Sequence, residues 1–298
     1  PLACARGSAI CPVPDEPTPA GGGSGAGRAF SVQKYGMMKF GDLFTARQKL
    51  ALVGLGQRMR GISASGLTEA LGLVVSRCSD YWSSLTSWVP GGEFVRSTFG
   101  RQALPIVWDF TETAPWADAS GNFDGALDWV SRVIEVWPPS PNSGQLQSAD
   151  ACDSPLPDDG ASIWFTDPPY YDAVPYADLS DFFFVWVKRT LPGHPLLHDP
   201  FDSQNPLTPK TREAVQDEVK QTDGRPKDRA FFEQTMAKAF AEGRRVLRDE
   251  GLGCVVFAHK TTEGWEALLS GLIRGGWVIT GSRPIATARP GRLRSQDS

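Results

Sequence analysis

The sequence holds no apolar run approaching the ~20 residues that a bilayer-crossing helix needs. Its start, PLACARGSAI, has no basic segment followed by the apolar stretch of a secretory signal. These two absences point to a cytoplasmic chain. Its five cysteines, Cys4, Cys11, Cys78, Cys152 and Cys254, are odd in number and scattered, with no C-x-x-C pair. That pattern supports neither a disulfide framework nor a metal site of the zinc type, and reads as reduced, mostly structural thiols. An excess of positive charge is missing too, since a net charge of -4 argues against a general nucleic-acid coat. Local basic groups remain: Lys188, Arg189 and His194 in one cluster, and Arg283, Arg289, Arg292 and Arg294 in another, which reads equally as a solvated tail. The glycine-rich TPAGGGSGAGRAF lacks the preceding strand that a phosphate-binding loop requires, so residues 1–31 read as a flexible linker.

What is present is enough apolar mass for a sizeable core. The chain has 298 residues, 41% of them hydrophobic and ten of them tryptophan, which allows one or two domains. Apolar residues at helical spacing follow Thr45, a good N-cap, and the pattern repeats in GLTEALGLVVSRCSDYWSSL after a turn at Gly61 to Gly66. Residues 94–116 mix strand-like and loop-like composition and support no assignment. GALDWVSRVIEVW then sets Leu127, Val130, Ile134 and Trp137 on one helical face, and Pro138 and Pro139 end it. From there the order becomes regular: strand SIWFT, a helix from Asp178 to Thr190, a polar stretch, helix DRAFFEQTMAKAFAEGRRVL, strand GCVVFAH, helix EGWEALLSGLI and strand WVITGS. Such alternation predicts an α/β fold with a mostly parallel sheet.

Trp164 to Trp186 reads WFTDPPYYDAVPYADLSDFFFVW. In an open α/β sheet ligands bind beyond the carboxyl ends of strands, which is where TDPPYY follows SIWFT. A carboxylate there accepts a hydrogen bond from an amino group, and a proline, having no N–H, stands next to a carbonyl that accepts a second. Tyr170 adds a flat face for an aromatic base. The stretch therefore reads as a cradle for an NH2 group, which would orient the nitrogen lone pair and stabilise developing positive charge.

The same residues carry a resemblance. DPPY resembles the catalytic motif of amino-methyltransferases that use S-adenosylmethionine. The fuller TDPPYYDAVPYADLSDFFFVW is similar to the adenine-specific DNA methylase family, whose longer members also contain a zinc ribbon. YGMMKFGDLFTARQ, FGRQALPIVWDF, VVFAHKTTEGWEALL and GWVITGSRPI resemble further segments of that family in the same order, so the likeness spans roughly residues 32–298. It implies a Rossmann-like methyltransferase fold and methyl transfer from S-adenosylmethionine to N6 of an adenine flipped out of DNA. Asp167, Pro168, Pro169 and Tyr170 would be the catalytic tetrad, with Asp167 and the Pro168 carbonyl on N6 and Tyr170 stacked on the ring. Asp rather than Asn at position 167 tilts the reading toward adenine in DNA. Methylation of RNA or of a protein glutamine amide is the alternative within the enzyme class, and a non-catalytic nucleic-acid-binding fragment the alternative outside it. Restriction or phage defence is the family's natural setting.

The departures shape the expected organisation. The family's D-P-F-x-G-x-G motif, which wraps the methionine end of the cofactor, is absent, as are the zinc ribbon's cysteine pairs. The chain begins without methionine, ends in GRLRSQDS, and is read as an incomplete, C-terminal part of a larger enzyme that pairs with a missing N-terminal half. Residues 32–120 are then a helical insertion and 121–298 the C-terminal part of the catalytic domain. Beyond the tetrad, Asp150 reads as an adenosine contact or a solvent-facing loop aspartate. Tyr171, Asp172 and Tyr176 line the base pocket, with aromatic core as the other reading of the tyrosines. Asp178 and Ser180 cap the following helix, and Phe182 to Trp186 belong to the core. His259, ending GCVVFAH, and Lys260 after it read as target contacts on the ligand edge, with a structural histidine as the other reading. The polar, proline-rich segment 192–227 is a candidate lid or target-reading loop.

Overall fold

A computed structural model of the chain describes residues 10–21, 29–62, 65–137 and 144–284. It divides into two compact units, residues 1–145 with 175–210 and residues 146–174 with 211–298. Among the described residues the fold is mixed α/β, with six helices and a two-stranded parallel sheet.

In the first unit, α1 (Ala46–Met59) starts where the sequence places it. Thr45 accepts the Gln48 N–H and the Gln48 side chain accepts the Thr45 N–H, so two orphan donors of the first turn are satisfied reciprocally. Its face of Leu52, Val53, Leu55 and Met59 is buried, as are Val74, Val75 and Cys78 of α2 (Ser65–Tyr81). The hairpin of β1 (Ser87–Val89) and β2 (Phe94–Arg96) follows. Asn122 caps α3 (Phe123–Val136) by accepting the Gly125 N–H at 2.9 Å. Leu127, Ile134 and Trp137 are exposed there. The helix is as predicted, but its apolar stripe is uncovered among the described residues. α4 (Tyr176–Thr190) buries Phe182, Val185 and Trp186 in a ring cluster with Phe44 and Phe99.

Three readings are corrected in this unit. Residues 10–21 are not linker: Glu16 and Thr18 are buried, and the Phe40 N–H donates to Glu16 C=O at 3.0 Å. Asp178 and Ser180 do not cap α4, which begins earlier, after Pro175. Asp178 is buried inside the helix, and the Ser180 hydroxyl donates back to Ala177 C=O at 2.8 Å. Cys11 is disulfide-bonded, while Cys78, Cys152 and Cys254 are free thiols; an odd count leaves room for one bridge that spacing alone does not reveal.

The second unit is built around β3 (Ala161–Thr166), paired in parallel with β6 (Leu247–Val255). Between them come the hairpin of β4 (Asp217–Thr222) and β5 (Arg225–Lys227) and then α5 (Arg229–Val246), capped by Asp228; α6 (Thr262–Arg274) closes the unit. One sheet face packs Trp164 on Phe240 and Trp277. On the other, Ile163, Phe165 and Leu252 are 67%, 66% and 63% exposed. A parallel sheet is ordinarily covered on both faces.

β6 starts six residues before the predicted strand and ends at Val255, because α5 passes into it without a turn and Leu247 already pairs with Ala161. Trp277 to Ser282 is irregular rather than a strand, and no neighbouring strand among the described residues offers it a ladder. The β4–β5 hairpin inside the candidate lid was not foreseen. Its Asp223-Gly224 turn has φ of 50° and 74°, the primed geometry for which an Asp-Gly step between alternating residues is the sequence sign.

Candidate active site

Asp167 is the first residue past β3, and its side chain is exposed. Among the described residues no hydrogen bond engages its carboxylate. Pro168 is buried; the next carbonyl, that of Pro169, accepts the Tyr171 N–H at 3.1 Å, and Tyr170 C=O accepts the Ala173 N–H at 2.9 Å. The backbone thus curls tightly just after the strand. The Tyr170 ring is half-buried and meets Phe257 edge-on, with centroids 5.4 Å apart.

Tyr171 sets the curl, with φ of 50°. A bulky non-glycine residue in the left-handed region costs on the order of 1–3 kcal/mol, so its surroundings must hold it there. Its ring does not line a base pocket. It is 4% exposed and belongs to a core cluster with Phe232, Met236, Phe240, Ala267, Leu268 and Leu272. Its hydroxyl donates to Glu263 Oε1 at 3.0 Å. Burial first, then this bond, pushes the phenol's pKa up, so the tyrosine stays a donor. The Gln216 N–H donates to the Tyr171 carbonyl at 3.1 Å, tying the turn to the segment before β4.

Asp172 and His259 come together. Asp172 Oδ1 lies 3.2 Å from His259 Nε2, and the imidazole, its side chain 6% exposed, stacks on Phe257 at 6.2 Å. Lys260 is exposed beside it. Arg229 faces Glu263 together with two further carboxylates: its guanidinium is 2.7 Å from Glu233 and 3.7 Å from both Glu263 and Glu266. Sequence reasoning missed Glu263, Thr261 and Phe257. Thr261 had a visible sign, an N-cap threonine ahead of an apolar helix that accepts the Gly264 N–H.

The remaining sequence candidates fall elsewhere. Tyr176 lies in the first unit, in the first turn of α4, exposed. Asp150 accepts the Cys152 N–H at 2.9 Å and pairs with Arg212 at 2.8 Å. The Cys152 bond and then Arg212 hold its carboxyl below the usual range, against partial burial. It ties a loop rather than standing ready for adenosine. Lys188 and Arg189 do not form a basic patch: Arg189 is buried against Glu16 at 2.9 Å and Asp15 at 3.0 Å, and Lys188 also pairs with Glu16. His194 faces Glu69 at 3.5 Å. Of the terminal arginines Arg283 is exposed, and Arg289, Arg292 and Arg294 lie outside the described residues.

Among the described residues no cluster of three or more His, Cys, Asp or Glu could hold a metal ion, and no helix is long and apolar enough to cross a membrane. The residues present suit a hydrogen-bond-donating amine. For S-adenosylmethionine, the adenosine contact read from the sequence, Asp150, is already paired with Arg212. Compared with family models, curated proteins and solved structures, the chain matches none.

Proposed function

We propose that the turn Asp167 to Tyr170 is the amino-group site of an amino-methyltransferase of Rossmann-like fold, acting on N6 of adenine in DNA. The observation that carries this reading is an exposed, unengaged carboxylate at the carboxyl end of a parallel strand, followed by two prolines and a half-buried tyrosine ring. Asp167 Oδ accepts one N–H of the amine. The Pro168 carbonyl, which no hydrogen bond engages among the described residues, accepts the other. Held by both hydrogens, the nitrogen presents its lone pair out of the base plane, and the carboxylate would stabilise the positive charge that grows on nitrogen as its bond to the methyl carbon forms and the donor's sulfur–carbon bond breaks, the sulfur leaving as a neutral thioether. In this reading Asp167 also takes the proton that the alkylated amine must lose. The Tyr170 face supports the base, which has to leave the duplex to reach such a site.

The methyl donor this reading calls for is S-adenosylmethionine, and the chain's own residues provide the acceptor side only. Calorimetric titration of the chain with S-adenosylmethionine should show no micromolar binding; micromolar binding would mean a cofactor site lies in residues assigned here to other roles. Acceptor class is tested in the complete protein with tritiated donor, offering DNA, RNA and a glutamine peptide in parallel. Label on DNA adenine N6 is expected. Label on RNA or peptide alone overturns the DNA assignment, and label on none of them leaves the cradle as a non-catalytic binding element.

A further inference from the structure

The amine site has a backbone that only outside contacts can hold, and two of those contacts come from one short segment of chain. Tyr171, at φ 50°, is tied through its hydroxyl to Glu263 in the first turn of α6. Asp172, the next residue, is tied to His259 just before that helix. We propose that Asp172, His259 and Glu263 form a clamp fixing the turn that carries Asp167 and Tyr170, with His259 and Glu263 as positioning residues. This rests on the amino-methyltransferase reading, in which the placement of Asp167 decides the rate.

The tautomer of His259 follows from its neighbours. The Thr261 N–H, which can only donate, lies 3.2 Å from Nδ1. The Thr261 hydroxyl oxygen is 3.1 Å from Nδ1 and accepts the Gly264 N–H at 3.3 Å, which leaves its own proton for Nδ1. Against these stands only the Thr261 carbonyl, at 3.5 Å. Nδ1 therefore carries the lone pair and Nε2 the proton, which is donated to the Asp172 carboxylate. The ring reaches this position because residue 264 is glycine: a Cβ there would lie 2.2 Å from Nδ1. The turn side is equally fixed, since Tyr171 packs edge-on against both Phe232 and His259, at 5.1 and 5.7 Å.

The clamp is tested on two readouts. In the chain itself, nitrogen NMR of the imidazole should show Nε2 protonated and Nδ1 bare. Amide exchange at Ala173 and Gln216, whose N–H groups close the turn, should accelerate at least tenfold in His259→Phe, while exchange in the middle of α5 stays unchanged. His259→Gln, which restores a donor toward Asp172, should recover most of the protection. Gly264→Ala, which displaces the ring without removing it, should behave like His259→Phe and replaces it if that variant does not fold. Unchanged exchange in both disruptive variants, a proton on Nδ1, or no recovery with Gln overturns the clamp. In the complete protein, His259→Phe should lower kcat for methyl transfer at least tenfold with little change in the KM for the donor, and His259→Gln should restore it. A faster-exchanging turn with unchanged kcat overturns the positioning role. Absence of methyl transfer in every form, wild type included, overturns the amino-methyltransferase reading and with it the positioning role, while exchange and NMR still decide the clamp.

Discussion

Between Trp164 and Tyr171, and again between Asp181 and Trp186, the chain sets aromatic rings beside an aspartate, yet the first carboxylate is open and the second sealed. Asp167 is exposed and unengaged among the described residues, at a strand end whose next turn holds a left-handed tyrosine. Asp181 is 0% exposed, accepts both the N–H and the hydroxyl of Thr208, and pairs with Lys210 at 2.6 Å. The boundary between the two units falls between them, at Pro175. A sheet-end turn leaves polar groups facing outward, whereas a carboxylate carried into a core by a helix is held there by partners. Composition is thus a poor guide to role, and the partner list of each carboxylate is a good one.

The comparison is sharpened most by Phe182→Ala. Phe182 is 0% exposed and touches Phe44, Phe99 and Phe183. Truncation should cost about 3–5 kcal/mol in chemical denaturation followed by a probe in the first unit. A loss below about 1 kcal/mol would mean that α4 is not the core it is described as. Glu16→Gln comes next, at about 2 kcal/mol, because it leaves buried Arg189 and partly exposed Lys188 without their shared anion. Burial raises the Glu16 pKa, but Arg189 and Lys188 together outweigh it, and the net shift is downward from 4.5. A carboxyl whose pKa is depressed by folding contributes fully above its unfolded pKa and loses that contribution as pH falls through its lower folded pKa. The gap between wild type and Glu16→Gln should therefore be full near neutrality and close below about pH 4.5; a gap that widens on acidification contradicts the ion pair.

In the turn, changes should appear in rate rather than in stability. Tyr170→Phe should keep most methyl transfer and Tyr170→Ala should lose roughly tenfold or more, since stacking on a base is worth about 1–3 kcal/mol. Equal losses in kinetic assays would assign the effect to the hydroxyl and not the ring face.

Much of this contrast was legible in advance where the signs are local. Thr45 with Gln48 announces the start of α1, the Phe182 to Trp186 run announces core, and DPPY after SIWFT places the turn at a strand end. What escaped depends on partners distant in sequence. Arg189 looks like surface charge until Glu16, 173 residues away, is seen against it. Tyr171 looks like a pocket residue beside Tyr170, yet one reversed backbone angle turns its ring into the core. The strand expected at Trp277 to Ser282 has the right residues but no neighbour to pair with among those described. The hairpin in the polar segment has its sign in Asp223-Gly224, but its short strands lack the apolar alternation that marks a strand.

The central claim is that Asp167 is a chemical group and not a structural one. Asp167→Ala in a preparation that transfers methyl groups tests it, with that transfer and thermal melting measured on the same preparation. A rate loss of about 100-fold or more is expected, the usual scale for removing one preorganised electrostatic partner, with stability within about 0.5 kcal/mol of wild type. Full activity would contradict the role given to Asp167, and a collapsed melting temperature would return the turn to the fold.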